Sequence, residues 1–171
     1  MRWQRLQRLI RHRWIDDDAV RRAVPPRLLQ RLEAHIASSE RLHSGEICIH
    51  VEAGLPWSYL WREASARERA LAMFGKLRVW DTEQNNGVLI YLLLADRAVE
   101  IVADRGLRSA VADSTWGALI ERMGRAFRDG HLEQGLLQAV DEVSALLVQH
   151  FALEPGQRNP NELPDAPGAP K

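Results

Sequence analysis

Cysteine is almost missing from this chain: Cys48 stands alone among 171 residues. No intrachain disulfide can form, and neither a CxxC pair nor a zinc-type Cys/His spacing is present. An excess of either charge is missing too, because Lys plus Arg equal Asp plus Glu at 23 each. That balance supplies no bulk field toward nucleic acid or an anionic membrane, and a nucleic-acid partner is not expected. Long apolar runs are absent as well. The longest, residues 88–95, falls far below the roughly 20 residues that a spanning helix needs. Residues 1–13 are basic, yet they lack the apolar stretch and small-residue cleavage site of a secretory signal. The expectation is therefore a cytoplasmic protein, peripheral to a membrane at most. There is no GxSxG and no glycine loop to cradle phosphate. Six dispersed histidines, His12, His35, His43, His50, His131 and His150, form no HxxxH or HxH pair, so a zinc hydrolase of the common kinds is not expected.

What the chain does contain is organised around Trp80-Asp81-Thr82-Glu83-Gln84-Asn85-Asn86-Gly87 and the run Val88-Leu89-Ile90-Tyr91-Leu92-Leu93-Leu94. A polar turn followed by a short, continuous apolar run predicts a loop entering a strand buried on both faces. Loops at the ends of such strands are favoured places for ligands.

Ahead of this unit, Trp3, Leu6, Leu9, Ile10 and Trp14 recur at helical spacing among Arg2, Arg5, Arg8, Arg11 and Arg13. Two readings fit: an amphipathic arm packed on the domain, or a helix that docks on a membrane surface or partner. Asp16, Asp17 and Asp18 favour a new helical start. Pro26 opens a helix to about Glu40 with Leu28, Leu29, Leu32, Ile36 and His35 on its stripe. Residues 46–52 alternate, with Ile47, Ile49 and Val51 against Glu46, His50 and Glu52, which predicts a strand with one face to the core. Cys48 reads as a small buried residue. Residues 57–77 read as one long helix whose Arg62, Glu63, Arg67, Glu68 and Arg69 make a solvated face. Strand, helix and strand in this order predict parallel pairing through a crossover. The turn Ala95-Asp96-Arg97 is so short that residues 98–104 must return antiparallel to the central strand. After a turn at Asp104-Arg105-Gly106, Ser114 is the expected N-cap of a helix ending at Asp129-Gly130, and a last helix covers about residues 131–151. From Glu154 onward, five prolines and two glycines predict a flexible or extended tail.

The candidate site follows from that topology. Asp81, Glu83, Asn85 and Asn86 precede the central strand, and the hairpin brings Asp104 back beside them, with Asp113 close in sequence. Carboxylates and amides converging from separate loops are the hard-oxygen donors that Ca²⁺ or Mg²⁺ requires. A purely structural alternative also fits: Asn86-Gly87 sets a turn with positive φ, Asp81 and Thr82 cap it, and Asp104 pairs with Arg105 or Arg78.

These residues in this order resemble the TPM domain. The likeness is carried by the helix with Ala70 and Phe74, the loop ending Asn86-Gly87-Val88-Leu89-Ile90, and the turn Asp96-Arg97 followed by Glu100-Ile101. Gly106-Leu107, Phe127-Arg128-Asp129-Gly130 and Gly135-Leu136 to Leu146 continue it. It covers about residues 24–151, leaving residues 1–23 as a basic helical arm and 152–171 as a Pro-rich tail. The resemblance implies a compact α/β/α sandwich, a small mixed β-sheet flanked by helices on both sides. It also implies divalent-cation binding at an acidic cleft in some members, acid phosphatase activity in plant members, roles in photosystem repair, and a LemA-type membrane protein as partner. Many relatives carry a signal peptide and a membrane helix, so this chain resembles the short cytoplasmic branch. Two positions depart from the pattern: Asn85 stands where relatives carry an acid, and Asp104-Arg105-Gly106 replaces a glycine-rich turn. The expected function is a non-catalytic interaction or assembly and quality-control module, cation-binding through Asp81, Glu83, Asn85, Asn86, Asp104 and Asp113. The alternative is a metal-dependent, acid-phosphatase-like phosphomonoesterase.

Overall fold

The computed structural model describes residues 2–154, 156, 157 and 159, and of residues 2, 4 and 17 only the backbone. Most of the expected Pro-rich tail therefore lies outside the described residues. Three strands form one sheet in the order β1 (Ile47–Glu52), β2 (Val88–Leu93), β3 (Ala98–Ala103). β1 runs parallel to β2 with Ile47 opposite Val88, and β3 returns antiparallel with Ala103 opposite Val88. Both pairings follow the expectation, because the long crossover permits parallel pairing and the short turn at Ala95–Arg97 does not.

Helices cover both faces. Ile47, Ile49, Val51, Val88, Ile90, Leu92, Val99 and Ile101 point to one side. They pack there against α3 (Pro26–Ser39), α7 (Asp113–Arg128) and α8 (Leu132–Phe151). Cys48, Leu89, Tyr91, Leu93 and Val102 point to the other, against α4 (Trp57–Trp61) and α5 (Ala66–Lys76). The architecture is the expected α/β/α sandwich, and all six residues of β2 are buried.

Five details correct the sequence expectations. β1 is buried on both faces rather than one, since Arg69 reaches from α5 to Glu52 and Leu55 and Leu60 join Cys48 in the second cluster. The long helix over residues 57–77 is two helices, broken where Glu63 takes φ 57°. The restart has a local cause. The Ser65 hydroxyl accepts from the Glu68 N–H at 3.1 Å, and the Glu68 carboxylate accepts from the Ser65 N–H at 2.8 Å, a reciprocal capping box. The turn at residues 104–106 opens a short helix, α6 (Arg105–Ala110), capped by Asp104. α7 starts at Asp113, one residue before the expected cap, and its N-cap Ala112 has no side-chain oxygen to accept a capping hydrogen bond. Finally, the positive φ expected of Asn86-Gly87 falls on Asn85, at 53°.

Gly87 is needed for a different reason. A Cβ there would stand 1.9 Å from the Val79 carbonyl oxygen, backbone that cannot swing aside. The loop can enter β2 only with hydrogen at that position. Gly87→Ala should lower the unfolding free energy by about 3 kcal/mol through overpacking, measured by urea denaturation; a loss below about 1 kcal/mol would show that Val79 can retreat.

Candidate functional site

The loop before β2 and the end of β3 meet as the hairpin requires. The Asp104 N–H donates to Gly87 O at 2.9 Å, the Gly106 N–H donates to Asn85 O at 2.9 Å, and Arg105 Nε donates to Asn85 Oδ1 at 2.9 Å. Gly106 sits so close that a Cβ would meet the carbonyl oxygens of Asn85 and Gln84 at 2.6 and 2.7 Å. Asn86 is fully buried; its Nδ2 donates to Ser44 Oγ at 3.1 Å, and its N–H donates to Thr82 Oγ1 at 3.1 Å. Asp104 Oδ1 accepts the Arg105 N–H. Asn86 Oδ1 and Asp104 Oδ2 are buried oxygens without a hydrogen-bond donor.

The remaining predicted ligands are exposed side chains. Asp81 and Glu83 are exposed in the loop, and Asp113 is exposed in the first turn of α7, where a carboxylate offsets the helix dipole. No three His, Cys, Asp or Glu side chains gather into a metal-holding group among the described residues. Arg105 also brings a guanidinium onto Asn85, the position where an acid was expected.

A second polar cluster lies under α5, and sequence reading missed it. Glu52 on β1 accepts from Arg69 Nε at 2.8 Å and from Arg69 Nη2 at 2.5 Å. The Tyr91 hydroxyl on β2 donates to the same carboxylate at 2.7 Å. Tyr59 of α4 lies beneath the Arg69 guanidinium, 4.9 Å from ring centroid to Cζ. His50 stacks beside Tyr91, and its Nε2 stands 3.8 Å from Glu52, beyond hydrogen-bond reach. Arg69 was assigned to a solvated face, yet its side chain is 13 % exposed. One signal pointed here: acid, histidine and tyrosine fall on the same side of adjacent strands, which obliges the covering helix to supply a cation.

Burial alone would push the Glu52 carboxyl up, but the hydrogen bonds from Arg69 and Tyr91 hold it down at about 2. Burial and the neighbouring carboxylate drive the Tyr91 hydroxyl well above its usual range. Neither group is poised for proton transfer near neutrality. The arrangement is therefore a buried ion pair that fixes α5 on the sheet. Burial also drives the Cys48 thiol up to about 11, so it is no ready nucleophile.

The third locus is the N-terminal helix α1 (Arg2–Trp14). Asp96, in the β2–β3 turn, accepts from Arg8 Nε at 3.1 Å and Arg8 Nη2 at 2.8 Å, and pairs with His12 Nε2 at 2.9 Å. His12 Nδ1 accepts the Leu55 N–H at 2.9 Å, and Arg8 also donates to Ala64 O at 2.8 Å. Arg5 reaches Trp61 O at 3.1 Å and Glu63 at 2.8 Å. Burial raises and then His12 and Arg8 lower the Asp96 carboxyl, to about 2.

The helix thus packs through its polar face and Leu9, and the rest of its apolar stripe points outward. Trp3 is 74 % exposed, Leu6 51 %, Ile10 48 % and Trp14 85 %. Beside it on α4 (Trp57–Trp61), Trp57 and Trp61 are also exposed. That arginine and histidine hold the arm on the domain was in neither sequence reading; exposed tryptophans are what the docking reading requires. No helix of the described residues is long and apolar enough to cross a membrane.

A family model described as the TPM domain matches residues 24–146, and the chain belongs to that family. The structure is similar to the NMR structure of the BA42 protein from the psychrophilic bacterium Bizionia argentinensis. Identity is 25 %, the TM-score is 0.73, and the match covers 84 % of this chain and 93 % of that one. It shares its fold with the N-terminal domain of a protein from P. gingivalis at 18 % identity and TM-score 0.60, over 82 % and 94 % of the two chains. No curated protein matches the sequence.

Removing the cation under α5 tests the ion pair. Arg69→Leu should cost roughly 3–5 kcal/mol at pH 7 by leaving Glu52 buried and unpaired. The sign with pH follows from a folded carboxyl at about 2 against its ordinary 4.5. The stabilisation is complete above the ordinary value and is lost as pH falls through the folded one. Denaturation at stepped pH should show the gap between wild type and variant closing as pH falls from the variant's Glu52 value, which burial without Arg69 raises above the ordinary one, toward about pH 2; a constant gap would remove Glu52 as the partner.

Proposed function

We propose that this member of the TPM domain family is a non-catalytic docking module working at a membrane, with the outward face of α1 as its contact surface and a LemA-type membrane protein as a companion there. The reading rests on one observation above the rest: α1 is held by Arg8, His12 and Asp96 so that Trp3, Leu6, Ile10 and Trp14 face away from the core. A helix kept only for packing would bury that stripe, since covering apolar area is the main stabilising force available to it. The buried groups Glu52, Tyr91 and Cys48 offer no activated nucleophile or acid–base pair, which favours docking over catalysis.

Cell fractionation of the full chain tests this reading. The wild-type protein should sediment with membranes, and a Trp3→Ser/Trp14→Ser variant of unchanged melting temperature should move to the supernatant. Equal partitioning of the two would rule out α1 as the contact.

A second reading is favoured by the orphaned oxygens of Asn86 and Asp104. Each is a hard donor of the kind that Ca²⁺ or Mg²⁺ takes, and Asp81 and Glu83 at the loop surface would add negative charge. The guanidinium of Arg105 opposes it. Such an ion would polarise a phosphoryl oxygen, the basis of an acid-phosphatase-like phosphomonoesterase. Calorimetric titration with Ca²⁺, Mg²⁺ and Mn²⁺ should show saturable binding that Asp104→Asn weakens at least about tenfold, because the amide keeps the helix cap and loses the charge. Identical isotherms would leave the two oxygens with a structural role alone.

A further inference from the structure

We infer that the surface presented by α1 is built for an anionic lipid bilayer, with the helix lying flat in the headgroup layer; this rests on the docking reading above and names the partner. The stripe of Trp3, Leu6, Ile10 and Trp14 runs the length of a 13-residue helix, about 20 Å at 1.5 Å per residue. Tryptophan stands at both ends of that stripe, the residue type whose amphipathic ring settles at the boundary between headgroups and acyl chains. A single convex stripe matches a flat, deformable surface. A partner protein would need a groove shaped to receive it.

Charge supports the same occupant. α1 carries five arginines and no acidic residue, on a chain that is neutral overall. Arg5 and Arg8 are consumed by Glu63 and Asp96. At helical spacing, Arg11 and Arg13 fall on opposite sides of the apolar stripe and both are exposed; Arg11 Nη1 also donates to Ala95 O at 3.3 Å, a carbonyl that leaves its charge unneutralised. Positive charge flanking an apolar stripe suits phosphate headgroups above buried side chains. A second copy of this chain suits it poorly, because two α1 helices stacked stripe to stripe would set arginine against arginine with no acid on either.

The clasp supplies the remaining physical ingredient. A free amphipathic peptide must order itself when it reaches a membrane, which weakens its binding. Here α1 is already helical and is oriented by Asp96, with His12 buried between that carboxylate and the Leu55 N–H. Binding then needs only the apolar side chains to enter.

Flotation of the purified full chain with protein-free vesicles tests the assignment. Vesicles with about 30 % phosphatidylglycerol should bind it at least about tenfold more tightly than phosphatidylcholine alone. Trp3→Ser/Trp14→Ser should abolish flotation, and Arg11→Glu/Arg13→Glu should remove the preference for anionic lipid. Raising salt from 0.1 M to about 0.5 M should weaken binding to the anionic vesicles alone. Four outcomes would overturn the inference. The protein could sediment with cell membranes yet ignore vesicles, so that its partner is a protein and the docking reading survives. Equal binding to neutral and anionic vesicles would remove the charge argument. Self-association in light scattering that the tryptophan variant abolishes, without flotation, would make the stripe a contact between copies. Failure with cell membranes and vesicles alike would end the docking reading as well.

Discussion

The central strand Val88–Leu93 has no surface to give to water. Its residues are buried on both faces, and both of its edges are hydrogen-bonded, one to β1 and one to β3. Any polar group carried into that layer must find a partner inside. Tyr91 brings a hydroxyl, Glu52 on β1 brings a carboxylate, and Arg69 on α5 answers both. The position of α5 follows from this demand as much as from its apolar contacts. So does the entry loop, which must approach Val79 closely enough that Gly87 cannot carry a side chain.

The same logic operates at the opposite end of the sheet, with the opposite consequence for the surface. Asp96 sits in the tight turn between β2 and β3 and draws in Arg8 and His12 from α1. Once the polar face of that helix is committed inward, the geometry of a single α-helix leaves its apolar face outward. An ionic contact in a turn therefore determines what the protein shows to its surroundings. The domain supplies two ends of different character. At the one, Asn85, Asn86, Asp104 and Gly106 converge in a closely packed loop crossing. At the other, a rigid helix carries exposed tryptophan. The acids Asp81, Glu83 and Asp113 are exposed, whereas the groups buried at the crossing are mainly amides and carbonyls.

Legibility followed the range of the forces involved. Strand–helix–strand order and the short Ala95–Arg97 turn are local features, and with them the parallel and antiparallel pairings could be read directly. The approach of Asp104 to the Asn85–Asn86 loop followed from the hairpin alone. The break within residues 57–77 was also written locally, in the spacing of Ser65 and Glu68, but the apolar period running through it concealed the stop. Arg69 and Glu52 were read as surface residues because alternation indicates only that two faces differ, not that the second is dry. The family resemblance conveyed the sandwich, which periodicity could not assemble by itself.

Sequence alone thus determined the order of strands and main helices and the polarity of each helix face, though not the break at Glu63 or the short helix α6. Those properties depend on neighbours within a few residues, and the chain carries them wherever it goes. Tertiary structure decided which face of each element meets the core. Asp96 turned the charged face of α1 inward over a separation of more than 80 residues, and Arg69 reached from α5 to Glu52 on the second face of β1. Such choices compare the desolvation of one face with the pairing available to its charges. That comparison exists only once distant parts of the chain have come together.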